Sequence, residues 1–288
     1  MTSGAPEKHR SELDVAVAWE EEVSFLDRVP RSVLIIVLGA AMLGIWQAIV
    51  SMAFVSRILL PGPAETFNEI VTSAVGIVGG DHVTEALWIT TQEVILGFLL
   101  AALLGFSLGV VVGETRLGQL AVMPYLVGFN ALPKVAFAPV FVAWLGFGIE
   151  SKVVMALFIA FFPVIVDTAA GLASADRDTV MLFRSLGATR WQTLRRLKLP
   201  AALPFIFAGL KTASVFAVVG AVVGEYLGGG SGLGELVRLS AQQLRLERVF
   251  ALIFYLSLLG LVLFGLIGWL ERKLVFWHEP SSSDVTST

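Results

Sequence analysis

The sequence contains no cysteine and only three histidines, His9, His82 and His278. Without cysteine there is no disulfide, thiolate nucleophile, iron–sulfur cluster or cysteine-bound zinc. The histidines lie far apart in sequence, near the ends of apolar runs or in the tails, which argues against a histidine-rich metal centre. Charge is also scarce. Only 15% of the 288 residues are charged, against about 25% in an ordinary soluble domain. Hydrophobic residues make up 56%, and the mean hydropathy is +0.83. A water-soluble globule of this size would have too little polar material for its surface, so a membrane protein is indicated. The net charge of −3 gives no global basic field, and nucleic acid is not an expected partner. The sequence lacks a Gly-x-x-x-x-Gly-Lys-Ser/Thr phosphate loop and a His-Glu-x-x-His pair, so neither nucleotide hydrolysis nor zincin-type catalysis is expected in this chain.

Long apolar runs take up most of the chain. A helix needs about 20 mainly apolar residues to cross a bilayer. Six stretches qualify: 33–55, 87–112, 117–149, 153–172, 201–227 and 249–269. The third is longer than a simple span and contains Pro124, Pro133 and Pro139. Proline removes a backbone donor and kinks helices, so this span should be bent or broken. Residues 56–86 are mixed, with Pro61-Gly62-Pro63 and Gly79-Gly80, and read as a loop with some helix. Residues 1–32 are polar and acidic, without the apolar core of a cleavable signal. They read as a cytoplasmic tail or an interfacial helix, and residues 278–288 as a disordered tail. The expected fold class is all-α, a polytopic membrane protein with its domain over 33–277.

Six spans put both termini on one side. Thirteen Lys and Arg residues fall on that side and five on the other, with Lys134 and Lys211 inside spans. The positive-inside rule therefore places both termini in the cytoplasm. The longest loop on that side, 174–200, reads SADRDTVMLFRSLGATRWQTLRRLKLP. Asp176 or Asp178 can cap a first short helix. Gly187 suits a turn with positive φ, and Thr189 can cap a second helix carrying Trp191. Two short helices that display apolar and basic groups suggest a docking knob. A loop lying on anionic lipid is the plainer alternative.

This loop resembles the coupling loop of ABC importer permeases, whose pattern is Glu-Ala-Ala, three residues, Gly, nine residues, then Ile-x-Leu-Pro. Gly187 is followed at that spacing by Leu197, Leu199 and Pro200, whereas Met181, Leu182 and Phe183 replace Glu-Ala-Ala. The run MLFRSLGATRWQTLRRLKLPAALPFIFAGLKTA and the segment NALPKVAFAPVFVAWLGFGIESK are similar to the nitrate/sulfonate/taurine type. With GAVVGEYLGGGSGLGEL, the chain looks most like the subgroup carrying pyrimidine precursors or riboflavin. The resemblance covers about residues 61–277. It implies a type I importer permease fold, a second permease copy, two separate ABC ATPase subunits that hold ATP and magnesium, and an extracytoplasmic substrate-binding protein. No cofactor is implied in this chain. By the same resemblance, Met181, Phe183, Arg184, Leu186, Gly187, Ala188, Thr189, Trp191, Leu199 and Pro200 would couple to the ATPase.

Charges at membrane depth are costly and usually face a cavity or a partner. Lys134, in the broken span, and Glu225, near the end of the fifth, are therefore candidates to line or gate a pathway, with an ion pair between them as one reading. Phe129, Asn130 and Trp144 flank the breaks and could stack on or hydrogen-bond to a flat heterocycle. Residues 228–249 could form a hinge and a short amphipathic helix that meets the binding protein. Lys211 reads as snorkelling to headgroups. A secondary transporter or channel is the competing class. It would favour paired intramembrane carboxylates, which the sequence pattern does not suggest.

Overall fold

The computed structural model describes residues 30–52, 56 and 59–277. The expected N-terminal interfacial helix and the C-terminal tail therefore lie outside the described residues. Helix α1, Arg31–Ser51, is apolar around its whole circumference, as suits immersion in lipid. It belongs to a different unit from residues 58–279.

In the larger unit, α2 is Pro63–Gly79. It lies in the stretch that reads from sequence as a loop with some helix. Pro63 starts the helix, the Glu65 carboxylate accepts the Gly62 N–H at 2.9 Å, and Gly80 ends it with φ 77°. Asp81 then caps α3, His82–Glu114. A π turn, Gly118–Val122, leads into α4, Met123–Asn130. A 3-10 turn, Lys134–Phe137, leads into α5, Ala138–Leu145. The segments Leu120–Asn130 and Lys134–Leu145 meet at 81°, so the proline-rich third span is broken as expected. Helix α6 is Ile149–Ala173. The two loop helices are α7, Arg177–Ser185, and α8, Arg190–Thr193. A π turn, Leu194–Lys198, runs into α9, Leu199–Gly228. Helices α10, Leu233–Gln242, and α11, Leu246–Leu274, complete the unit. Among the described residues, five helices are long and apolar enough to span a membrane, or six with the bent pair counted.

Helix α6 is the centre of the unit, with α3 and α9 packed along it. Lipid gives helices no hydrophobic reason to associate, so close approach through small residues replaces it. Gly105 and Gly109 of α3 face Val164 and Thr168 of α6, and Gly220 of α9 lies on the Ala156 backbone. A Cβ at Gly105 would stand 2.7 Å from the Val164 Cβ and 2.9 Å from the Phe161 carbonyl oxygen. Gly105→Val should therefore cost about 1–3 kcal/mol by overpacking. The purified protein should melt earlier in detergent than an exposed control such as Gly39→Ala, where a Cβ meets nothing within 4 Å.

Lys211, read from sequence as snorkelling, forms a 2.7 Å ion pair with Glu271 in the last turn of α11.

Candidate functional site

The loop between α6 and α9 is built by its caps. Asp176 accepts the backbone N–H of Thr179 at 2.8 Å and its hydroxyl at 2.5 Å. These bonds hold the Asp176 carboxyl below the usual carboxylate range. At the end of α7 the N–H of Gly187 returns to Arg184 O, and that of Ala188 to Phe183 O. This closure needs the left-handed φ of 77° at Gly187, which glycine adopts without strain. Thr189 and Gln192 then cap each other: Thr189 N–H donates to Gln192 Oε1 at 2.8 Å, and Gln192 N–H to Thr189 Oγ1 at 3.2 Å. Asp176, Gly187 and Thr189 thus have the roles their residue types suggested.

The result is a fixed knob whose apolar side chains are left uncovered. Leu186 is 77% exposed and Trp191 66%, with Met181 and Leu182 beside them, while Phe183 and Ala188 are half-buried. Exposed apolar clusters of this kind mark contact surfaces. From Arg190 to Gly228 the chain is helical without a gap, and Leu199 and Pro200 lie inside that rod. Leu194 and Leu199 pack on Leu172, Ala202 and Ile206. Lys198 Nζ is 2.7 Å from Glu114 Oε1 at the end of α3. The knob is thus joined to α9 through the chain and to α3 through this ion pair.

At the other end of the same helices lies a buried polar cluster. Glu225 is fully enclosed. Its carboxylate accepts the Thr90 hydroxyl at 2.6 Å and the Gly234 N–H at 2.6 Å, and Thr90 Oγ1 accepts the Leu233 N–H at 2.8 Å. The N-terminus of α10 is thus pinned to α3 and α9, with the negative charge where the helix dipole favours it. Gly229, Gly230 and Gly232 carry positive φ and let the chain fold back over the charge. Glu93, one helical turn from Thr90, is also fully enclosed and lies against the Glu225 carboxyl. Its nearest cation is Lys152 of α6, with Nζ 4.0 Å from Oε1. Lys152 also donates to Phe147 O at 3.1 Å.

This cluster corrects two sequence expectations, and it includes Lys152, which is buried. Two intramembrane carboxylates, Glu93 and Glu225, do lie together. Glu225 and Lys134 do not pair: Lys134 Nζ donates to Asn130 Oδ1 at 2.7 Å and stands 4.3 Å above the Phe162 ring. Thr90 and Glu93 share a helix face at a spacing of three, which was the one local signal. Lys152 gave no sign of joining them.

The broken span displays the remaining candidates. Phe129 is 54% exposed and Trp144 74%, with Asn130 and Lys134 between the breaks. Behind them Phe137, Phe141 and Phe158 interlock, with ring centroids 5.2–5.4 Å from Phe158. Helix α5 is anchored on α6 in this way while its outer face stays open.

The family model described as the binding-protein-dependent transport system inner membrane component matches residues 97–276. The chain belongs to that family. Among its relatives is the formylaminopyrimidine transport permease protein ThiX of Halalkalibacterium halodurans. It is 40% identical over 66% of this chain and 76% of the relative. The riboflavin transport system permease protein RibX of Chloroflexus aurantiacus is 34% identical, over 81% and 85%. The putative aliphatic sulfonates transport permease protein SsuC of Bacillus subtilis is 33% identical, over 85% and 87%. Among solved structures, a chain of the inward-facing MetNI methionine ABC transporter is similar in fold, with TM-score 0.55 and 20% identity over 68% of this chain and 95% of that one. The permease is therefore a multi-pass inner-membrane subunit of a binding-protein-dependent ABC importer. It is not an enzyme, and ATP hydrolysis belongs to a separate chain. The secondary-transporter reading falls with this assignment.

Proposed function

We propose that the permease works as a twofold pair of identical chains, with both termini in the cytoplasm. Two ATPase subunits that hold ATP and magnesium grip the knob around Gly187 on that side. The carrying observation is the capped, exposed apolar knob continuous with α9. Closure of the ATPase pair moves α7 and α8, and the rod from Arg190 to Gly228 carries that movement across the bilayer. On the outer side, the Gly-rich loop and α10, pinned through Glu225, receive the loaded binding protein. Twofold pairing is the usual closed solution for identical subunits.

The solute passes along the open face of the broken span, where Phe129 and Trp144 offer aromatic surface and Asn130 and Lys134 offer polar groups. This set suits a small flat heterocycle, such as a pyrimidine or vitamin precursor, or a sulfonate-type anion. The relatives named for formylaminopyrimidine, riboflavin and sulfonates support that class. Glu225 serves the pathway indirectly, by holding the outer loop.

The test is reconstitution with the ATPase and the binding protein. Native mass spectrometry should give two copies of this chain with two ATPases. A second, different permease chain would overturn the pairing. In the same vesicles Lys134→Met should leave assembly intact and lower uptake about tenfold or more, the effect of losing one charge-assisted contact. Wild-type uptake in Lys134→Met would remove Lys134 from the pathway.

A further inference from the structure

A basic recess of about 330 Å³ lies where the knob meets the end of α3. Arg116 comes from the chain after α3, Arg184 from α7, Arg190 from α8 and Lys198 from the π turn, around Glu114 and Thr193. Lys198 is neutralised by Glu114 at 2.7 Å. Among the described residues, Arg116, Arg184 and Arg190 pair with no carboxylate. Three elements thus bring three unneutralised guanidinium groups to one concave site.

The recess is separate from the apolar face of the knob. Phe183 and Leu186 line another recess, with Gln192 and Arg196. Immediately after Arg116, Leu117 and Leu120 are 73% and 69% exposed, as side chains facing acyl chains would be. The cations therefore converge at the level where a helix leaves the bilayer. Arginine forks match the oxygens of a phosphate in bidentate fashion, and basic recesses beside cytoplasmic helix ends are suited to anionic headgroups.

We propose that this recess binds the phosphate of an anionic phospholipid of the inner leaflet. The headgroup bridges the end of α3 to α7 and α8 and steadies the knob. This inference rests on the cytoplasmic placement of the loop proposed above, but not on its contact with the ATPase.

The complex of permease and ATPase is extracted from vesicles of phosphatidylcholine with phosphatidylglycerol, and retained lipid is read by native mass spectrometry. The wild type should retain phosphatidylglycerol in preference to phosphatidylcholine. Arg116→Gln/Arg190→Gln should weaken retention about fivefold for each arginine, with the ATPase still bound. Arg116→Lys/Arg190→Lys, which keeps the charge, should retain most of it. Equal retention by wild type and the Gln variant would overturn the proposal. So would displacement of the lipid by inorganic phosphate at matching concentration, which would make the recess a soluble-phosphate site. Loss of the ATPase from the Gln variant would assign the arginines to protein docking and also overturn it. Selective lipid retention by a wild-type chain that fails to hold the ATPase would support this inference while refuting the coupling role of the knob.

Discussion

Lys152→Met is expected to destabilise the permease by about 3–5 kcal/mol, the usual cost of removing one partner from a buried ion pair. Lys152 is almost wholly enclosed, and its ammonium is the cation that faces the adjoining carboxyl groups of Glu93 and Glu225. Without it, Glu93 and Glu225 stand together with no counter-charge from α6. The double variant Glu93→Met/Lys152→Met should recover part of the loss, because one carboxyl goes with the lysine while Glu225 keeps its bonds to Thr90 and Gly234. Thermal unfolding in detergent measures both. A double variant as unstable as Lys152→Met would mean that the lysine stem, packed against Gly224, matters through its shape and not its charge.

Phe183→Asp/Leu186→Asp is expected to reduce association with the ATPase about a hundredfold, the scale of losing apolar anchors at an interface. Both side chains lie beside Gly187, and Leu186 is among the most exposed apolar residues of the knob. Buried on docking, two carboxylates would arrive without cations or donors. The fold should survive, because neither residue belongs to the buried core of the unit. Co-purification from the same membranes reads the effect. An unchanged yield of bound ATPase would move the docking surface elsewhere.

The knob was legible in the sequence because it is built locally. Asp176 to Thr179, Arg184 to Gly187 and Thr189 to Gln192 are contacts over three residues, and residue type alone implies them. The break in the third span was legible for the same reason, since Pro133 acts on its own backbone. The buried cluster was not. Glu93, Lys152 and Glu225 come from three helices, and each alone reads as a single charge near a span end. Their meeting depends on how α3 and α9 are rotated against α6, which the small-residue contacts at Gly105, Gly109 and Gly220 determine in three dimensions. The Lys211 pair is a further case: Glu271 lies 60 residues on, in α11, beyond the reach of local sequence. Helix α2 was obscured by its own start signal, because Pro61-Gly62-Pro63 reads as a turn until Glu65 is seen to close the cap.

The central claim is that the knob and the far end of α9 move as one rod. The absence of cysteine allows spin labels to be placed one position at a time. Labels at Leu186→Cys report the knob, and labels at Leu227→Cys, also exposed, report the far end of α9. Distances between the two copies in the assembled importer should change at both positions when ATP binds to a hydrolysis-defective ATPase. A change at Leu186 with no change at Leu227 would contradict the account, since the knob would then move without carrying the membrane helix.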